Sequence, residues 1–400
     1  MTASSGSRRG FLLAAFVFAV AMVGTTLPTP LYRFYQQELG FGPTWLTLIF
    51  SIYAAGVIAA LLVVGGWSDQ LGRRPMLAAG LLMGAISAGL FLCAHSIPAL
   101  LVGRLFSGFS AGIMTGTATV AVIEAAPAAW RQHATLMATA ANMLGLGLGP
   151  LLAGFTSERL PWPLHLVFWL HLALLALALL AVAACRETAP RPARPVLAVQ
   201  RPAIPAVVRP WFIPAAIGGL AGFSVAGVFT SLVPSIVNQI MEVHSGLVVG
   251  AVIALLFAAS VCGQAALKWL PCAQHMTVGC VGLCLGMLAL GTAMGQASMP
   301  LLLAAAVLAG AGQGMVFRAG MAAVAQATPA EQKAAVTSAL FVMFYFSMSL
   351  PVIALGLSIP MFGLPHTGEV FSALVALIAL LALASMKRVA AHRQAISASR

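Results

Sequence analysis

Charge is what this 400-residue sequence has least of: Asp, Glu, Lys and Arg together make up 7% of it, and only eight residues are acidic. An ordinary soluble domain carries about 25% charged residues. A water-facing surface of this length cannot be covered with so few, so a soluble fold is excluded. Acids are also missing from one particular place. Glu38, Glu158, Glu242 and Glu369 sit at or near one edge of the apolar runs, and Asp69, Glu124, Glu187 and Glu331 at or near the other. None lies in the middle of a run. A membrane-embedded enzyme would need a nucleophile with its base, or a His/Glu metal cluster. No such constellation stands in or near the runs, so the chain is read as a non-enzyme with no cofactor and no metal. The six cysteines show no pairing or metal-ligand spacing: Cys93, Cys262, Cys280 and Cys284 lie inside runs, and Cys185 and Cys272 beside them. They read as small packing residues. Period-two alternation of the barrel kind is missing too.

What fills the space is hydrocarbon. Hydrophobic residues make up 61% of the chain, and the mean hydropathy is +1.01. They come in twelve blocks near bilayer-crossing length, about 20 residues. The blocks run near 11–32, 44–66, 76–95, 99–123, 134–155, 164–185, 211–233, 246–267, 274–294, 299–322, 334–357 and 368–386. Pro, Gly and charge mark the turns, as in Arg73-Arg74-Pro75, Ser96-Ile97-Pro98 and Leu160-Pro161-Trp162-Pro163. Lipid offers the backbone no hydrogen-bond partner, so each block must be a helix. The first run, after Arg8-Arg9, is longer than a typical signal-peptide core, and it is taken as the first span.

The basic residues give an orientation. With the N-terminus in the cytoplasm and alternating spans, Arg8, Arg9, Arg73, Arg74, Arg131, Arg186, Arg191, Arg194, Arg201, Arg209, Lys268, Lys333, Lys387, Arg388, Arg393 and Arg400 fall inside. Only Arg33 and Arg159 fall outside, while Arg104 and Arg318 lie within spans. The asymmetry matches the positive-inside rule and places both termini in the cytoplasm. The net charge of +12 therefore reflects topology. No aromatic-interleaved basic patch is present, so nucleic acid is not expected as a partner.

Segment 186–210 holds five Arg and six Pro. Such composition favours extended, semi-rigid backbone, and it divides the chain into 1–185 and 211–400, six spans each. The two parts also match in sequence. An offset of 202 carries Gly80, Gly84, Gly89, Gly108 and Gly112 onto Gly282, Gly286, Gly291, Gly310 and Gly314, Pro98 onto Pro300, Pro127 onto Pro329, and Arg131 onto Lys333. An internal repeat at half length means two homologous helix bundles, with a solute site expected where they meet.

Several motifs stand out. The loop after the second span reads Gly65-Gly66-Trp67-Ser68-Asp69-Gln70-Leu71-Gly72-Arg73-Arg74-Pro75. Gly72 suits a turn of positive φ. Asp69 follows a helix C-terminus, where the macrodipole disfavours an anion, so a partner elsewhere is expected to hold it. Span 4 carries Arg104, then Gly108, Gly112 and Gly116, a spacing that clears one face for close helix approach. Arg104 either snorkels to the headgroups or faces a cavity. Span 5 holds Gly145, Gly147, Gly149, Pro150 and Gly154; Pro150 removes one helical hydrogen bond and can kink the helix. In span 10, Arg318 follows Gly310 and Gly314. A base within lipid costs a few kcal/mol on insertion scales, so it faces a cavity or partner, or snorkels inward. Asn142 and Gln313 are further cavity candidates. His165 and His171 read as helix–helix contacts.

In combination these stretches resemble signatures of the major facilitator superfamily. Gly65, Asp69, Gly72, Arg73 and Arg74 match its loop 2–3 motif, with Gln70 standing where a base is usual. Arg104, Gly108 and Gly112 match its span-4 motif, and Gly145, Gly149, Pro150 and Gly154 its antiporter motif, with Ala153 replacing one Gly. The resemblance implies an all-α membrane fold of twelve helices in two pseudo-symmetric six-helix bundles. It implies a latch in which Asp69 faces the cytoplasmic end of span 11 and Arg73 pairs with Glu124, with Arg74 and Arg131 alongside; the second half lacks this motif. It also associates Arg104 with proton transfer and the Pro150 helix with export. The expectation is therefore a secondary transporter in a bacterial inner membrane, monomeric, working by alternating access. Deep arginines without deep carboxylates favour an anionic or neutral amphiphile, exported with proton coupling. An importer or facilitator of a small metabolite on the same fold is the alternative.

Overall fold

The computed structural model describes residues 7–189, 202–329 and 332–398, together with 192, 195, 197 and 199. Of the Pro/Arg-rich tether expected at 186–210, residues 190, 191, 193, 194, 196, 198, 200 and 201 lie outside the described residues. Among the described residues, twelve helical segments are long and apolar enough to cross a membrane. By its internal contacts the chain divides into two compact units. One comprises Met1–Gln200 with His244–Ala254, and the other Arg201–Val243 with Leu255–Arg400.

Unit 1 contains α1 (Arg8–Thr26), α2 (Tyr32–Leu39), α3 (Pro43–Val64), α4 (Trp67–Leu71), α5 (Arg73–Leu92), α6 (Ile97–Ala125), α7 (Ala134–Arg159) and α8 (Leu166–Ala184). The Ser7 hydroxyl accepts from the Gly10 N–H at 3.0 Å and caps α1, as serine does at helix starts. Gly72, at φ 103°, breaks the chain between α4 and α5, a conformation open to glycine at little cost. An aromatic and aliphatic core joins α1, α2, α5 and α8: Phe91 stacks on Phe168 at 5.3 Å, and the Tyr35 hydroxyl donates to the Phe91 carbonyl at 3.1 Å.

Unit 2 contains α9 (Arg209–Ser235), the greater part of α10 (Gly246–Ala266), α11 (His275–Gly295), α12 (Met299–Ala327), α13 (Lys333–Phe362) and α14 (Leu364–Ala398). Its core is a phenylalanine cluster. Phe223 stacks on Phe344 at 4.7 Å, and Phe317 lies 5.9 Å from Phe344.

The internal repeat extends to helix boundaries and contacts. α5 and α11 begin at 73 and 275, α6 and α12 begin at 97 and 299, and these two end at 125 and 327; every offset is 202. The glycines on α6 and α12 do the same work. A side chain at Gly108 would meet the Tyr53 carbonyl of α3, and one at Gly310 the Leu256 carbonyl of α10. Gly112 lies on Val57 and Ala60, and Gly314 on Ser260. Lipid tails are as apolar as leucine, so helix association rests on close van der Waals packing, which such small residues allow. Leu12, Leu82, Ile86, Leu148, Leu180, Leu285, Leu288, Leu377 and Leu381 are exposed, as suits a hydrocarbon-facing surface.

Helix ends differ from the sequence blocks where polar residues continue the helix. The first span extends to Leu39 through a 3-10 turn at Thr29–Leu31 and α2. Block 44–66 gives way to a turn at Gly65-Gly66 and the separate short helix α4. α13 continues through Pro351 and Pro360 until Gly363, at φ 80°, stops it.

α7 runs unbroken through Pro150. Proline lacks an N–H, so the carbonyl four residues back, on Leu146, has no helical donor. The Thr26 hydroxyl of α1 donates to it at 2.7 Å, and Gly149 lets α1 approach, since a Cβ there would strike the Val23 carbonyl. Gly145 similarly lies against Ala19 and Met22. The expected outcome of Thr26→Val is a loss of about 1 kcal/mol of stability, with Thr26→Ser near wild type, measured by thermal unfolding in detergent. Equal stability of Thr26→Val and wild type would contradict this role.

Candidate functional site

The loop between α3 and α5 is built around Arg73, which is buried although it is the first residue of α5. Its guanidinium makes a bidentate pair with Glu124 near the end of α6, Nε to Oε2 at 3.2 Å and Nη2 to Oε1 at 3.0 Å. Nη1 donates to the Ser68 hydroxyl at 2.7 Å and pairs with Asp69 at 2.6 Å. Bidentate arginine–carboxylate geometry is among the strongest side-chain contacts. Asp69 therefore has a local partner in Arg73. The physical reason is that the chain re-enters helix at Trp67–Leu71, bringing Asp69 one turn before Arg73. Gly65 forms the C-cap of α3, and Gly72 supplies the positive φ that turns the chain into α5.

Two residues outside the expected latch complete it. The Glu187 carboxylate accepts from the backbone N–H groups of Arg73 at 2.7 Å and Arg74 at 3.1 Å. These are unsatisfied donors at a helix N-terminus, where an anion is favoured by the macrodipole. Thr188 donates its hydroxyl to Glu124 Oε2 at 2.5 Å. Arg74 turns the other way and closes the C-terminus of α8, donating to the Val182 and Ala183 carbonyls at 3.1 and 2.8 Å. The loop thereby ties α5, α6 and α8 together within unit 1. The signal for Glu187 was an acid just after the sixth span, amid basic residues. Arg131, expected alongside, is exposed on a 3-10 segment and makes no ion pair among the described residues. Burial pushes the neighbouring Cys185 thiol up, with Arg74 opposing.

Arg104 is 1% exposed, the largest fully buried side chain among the described residues. Nη1 donates to the Thr25 carbonyl of α1 at 2.5 Å, and the guanidinium lies 4.7 Å from the Tyr53 ring and 5.3 Å from the Phe50 ring. It does not snorkel: the carbonyl and two π faces hold the charge inside unit 1. Nε has no hydrogen-bond partner. Asn142, on α7, is half-buried with its Oδ1 unpartnered. His171 contacts the Val20 carbonyl through Nε2 at 3.2 Å.

In unit 2, Gln313 accepts from the Ser260 hydroxyl at 2.6 Å and Arg318 donates to the Gln264 carbonyl at 2.8 Å, both joining α12 to α10. Arg318 is half-buried and lines a cavity of about 930 Å³. The first turns of α10, which belong to unit 1, pack on α7. Gly154 lies against Gly246, and Gly250 against the Pro150 carbonyl. Glu158 accepts from the Leu247 N–H at 2.9 Å, and Arg33 donates to the His244 carbonyl at 3.3 Å.

Comparison with known proteins puts this arrangement in context. A family model described as Major Facilitator Superfamily matches residues 14–350. A chloramphenicol resistance protein of Acinetobacter baumannii, CraA, is 30% identical over 172 residues, 42% of this chain and 39% of that protein. Multidrug resistance protein 1 of Bacillus subtilis is 27% identical over 161 residues, 40% of this chain and 41% of that protein. The matched region thus spans about two fifths of these relatives' length. The fold resembles that of the human organic anion transporter MFSD10, with TM-score 0.71, 18% identity and coverage of 95% of this chain and 99% of that one. It also resembles a POT family transporter solved with 5-aminolevulinic acid, with TM-score 0.74, 15% identity and coverage of 95% and 96%.

Arg73→Ala and Glu124→Gln are expected to couple, with an interaction energy of about 1–3 kcal/mol in a double-mutant cycle of thermal stability. Glu187→Gln should lose up to about 1 kcal/mol by weakening the helix cap. Additive effects of the first two substitutions would contradict the pairing.

Proposed function

The chain belongs to the Major Facilitator Superfamily, and from that premise we propose that it is a secondary active exporter of small amphiphilic molecules, neutral or anionic, coupled to inward proton movement. It works as a monomer in a bacterial inner membrane with both termini in the cytoplasm. The observation that supports export most directly is α7. Its Gly145 and Gly149 form a close seam against α1, with the carbonyl freed by Pro150 taken by Thr26. A helix bent or thinned at that point, yet without an unpaired backbone group, can change its packing while staying closed to ions. The relatives that carry resistance to chloramphenicol and other drugs agree with this direction.

The latch supplies a contact specific to one state. A transporter shifts between states only by contacts that differ between them, and the cluster of Asp69, Arg73, Glu124 and Glu187 is a set of charges that hydration can replace when the loop moves. The α7–α10 seam with Glu158 is the corresponding contact at the other membrane face. Deep cations without deep carboxylates favour substrates that are not cationic. No mid-span carboxylate offers itself as the proton carrier, so coupling is tested by itself.

In proteoliposomes with an imposed pH gradient, a neutral antibiotic such as chloramphenicol should move uphill against proton entry, and collapse of the gradient should stop it. Flux that only follows the solute gradient would support the facilitator reading instead. Asp69→Asn should reduce flux about five- to tenfold, the equivalent of roughly 1–1.4 kcal/mol, with unchanged membrane insertion. Full flux in that variant would remove the latch from the mechanism.

A further inference from the structure

The two units carry the same helices at the same offset, but they settle their charge differently at one place. In unit 1 the start of α5 and the end of α6 meet through Arg73 and Glu124, and Asp69 and Glu187 add two more carboxylates. The offset of 202 carries Arg73 to His275, the first residue of α11, and Glu124 to Gln326, near the end of α12. Asp69 falls on Pro271. Unit 2 thus keeps the geometry and loses the acids.

What unit 2 has there is a cavity of about 930 Å³, lined by His275 and Gln326 and by two further bases, Lys268 and Arg318. Among the described residues, no Asp or Glu lines it. Arg318 spends one donor on the Gln264 carbonyl. His275 Nε2 lies 2.9 Å from the Leu270 carbonyl, which can only accept, so that nitrogen carries the proton. Lys268 is exposed and rests 4.4 Å over the Trp269 ring. The lining also includes the apolar Trp211, Met276, Ala323 and Leu383. Guanidinium and ammonium groups lining one cavity together with apolar side chains suit a phosphate or carboxylate with a hydrocarbon tail.

We propose that this cavity of unit 2 binds the anionic headgroup of an amphiphile, with the external anion taking the place that the Glu124 carboxylate holds in unit 1. Phosphate is the best-matched headgroup, because Arg318 and Lys268 together offer several free donors. Two sources share that chemistry: an anionic membrane phospholipid, or an anionic amphiphile on its way through the protein. The lining residues Lys268 and His275 belong to the face that the Lys/Arg distribution assigns to the cytoplasm, where anionic lipid headgroups attract bases. The site is read out by binding and not by flux, so it stands or falls independently of the export reading.

The test uses the full chain in phosphatidylcholine nanodiscs, titrated with hexyl phosphate and with dihexanoyl phosphatidic acid, and followed by tryptophan fluorescence. Both should bind, and dihexanoyl phosphatidylcholine should not. Gln326→Glu restores the carboxylate found in unit 1 with little change of shape, and it should weaken binding about tenfold or more; Arg318→Gln should do the same. Lys268→Gln, at an exposed side chain, keeps the test open if Arg318→Gln fails to insert. Anionic lipid retained on purification from native membranes and lost from Gln326→Glu assigns the source to the bilayer. Carriage of hexyl phosphate into sealed phosphatidylcholine vesicles assigns it to cargo. Equal affinity of wild type and Gln326→Glu for both phosphates, or equal binding of the phosphatidylcholine probe, overturns the proposal.

Discussion

The bilayer gives the backbone nothing to bond with, and the local structure of this chain follows from that. A peptide group left unpaired in hydrocarbon costs several kcal/mol, so an interrupted helix gains when a side chain takes the freed group. Pro150 frees the Leu146 carbonyl and Thr26 takes it. α5 starts abruptly after Gly72, and the Glu187 carboxylate collects its first N–H groups. α8 ends, and Arg74 closes its last carbonyls. In a chain with so few polar residues, those that remain gather at helix ends and kinks. The residues proposed for the conformational latch are therefore largely the ones that close helix ends.

How much of this was legible depended on whether a feature is periodic or singular. The twelve spans follow from apolar run length, and the bundle repeat from glycines at a constant offset, because both express one constraint many times over. Gly108 and Gly310 were visible as equivalent positions, and their neighbours, Tyr53 and Leu256, occupy equivalent places on α3 and α10. Boundaries were less legible. α2 and α4 are short and polar, and their helicity comes from packing onto the loop and core rather than from hydropathy. The pairing of Arg73 with Glu124 came from motif resemblance. Glu187 and Thr188 went unread because they lie in a segment whose proline and arginine content suggested only a tether, and its first residues instead fold back onto the start of α5. The pairing of Asp69 with Arg73 went unread for a related reason: the short helix α4 and the turn at Gly72 that bring them together leave no mark in hydropathy.

The repeat also separates what packing needs from what charge needs. Small residues recur in both units because two backbones can approach closely in only a few ways. The deep charges do not recur. Arg104 of α6 corresponds to Ala306, and Arg318 of α12 to Gly116, so each unit has one deep arginine, at a different depth on the equivalent helix. A duplicated scaffold keeps its seams under strong constraint, while its polar positions are free to specialise.

Three arginines then meet the same difficulty in three ways. A guanidinium cannot shed its proton, so desolvation has to be offset by neighbours. Arg73 has carboxylates, and the resulting cluster is neutralised by the chain itself. Arg104 has one carbonyl and two aromatic faces, which supply partial negative charge and no counter-ion; these close contacts offset part of its desolvation. Arg318 has one carbonyl and an open cavity shared with two other bases. Of the three, among the described residues, only the last lines an open cavity without a carboxylate beside it. Unit 1 offsets the charge of Arg73 with its own residues, whereas in unit 2 the described lining of the Arg318 cavity supplies bases alone, which is why the proposed anion is assigned to the second unit and not to the first.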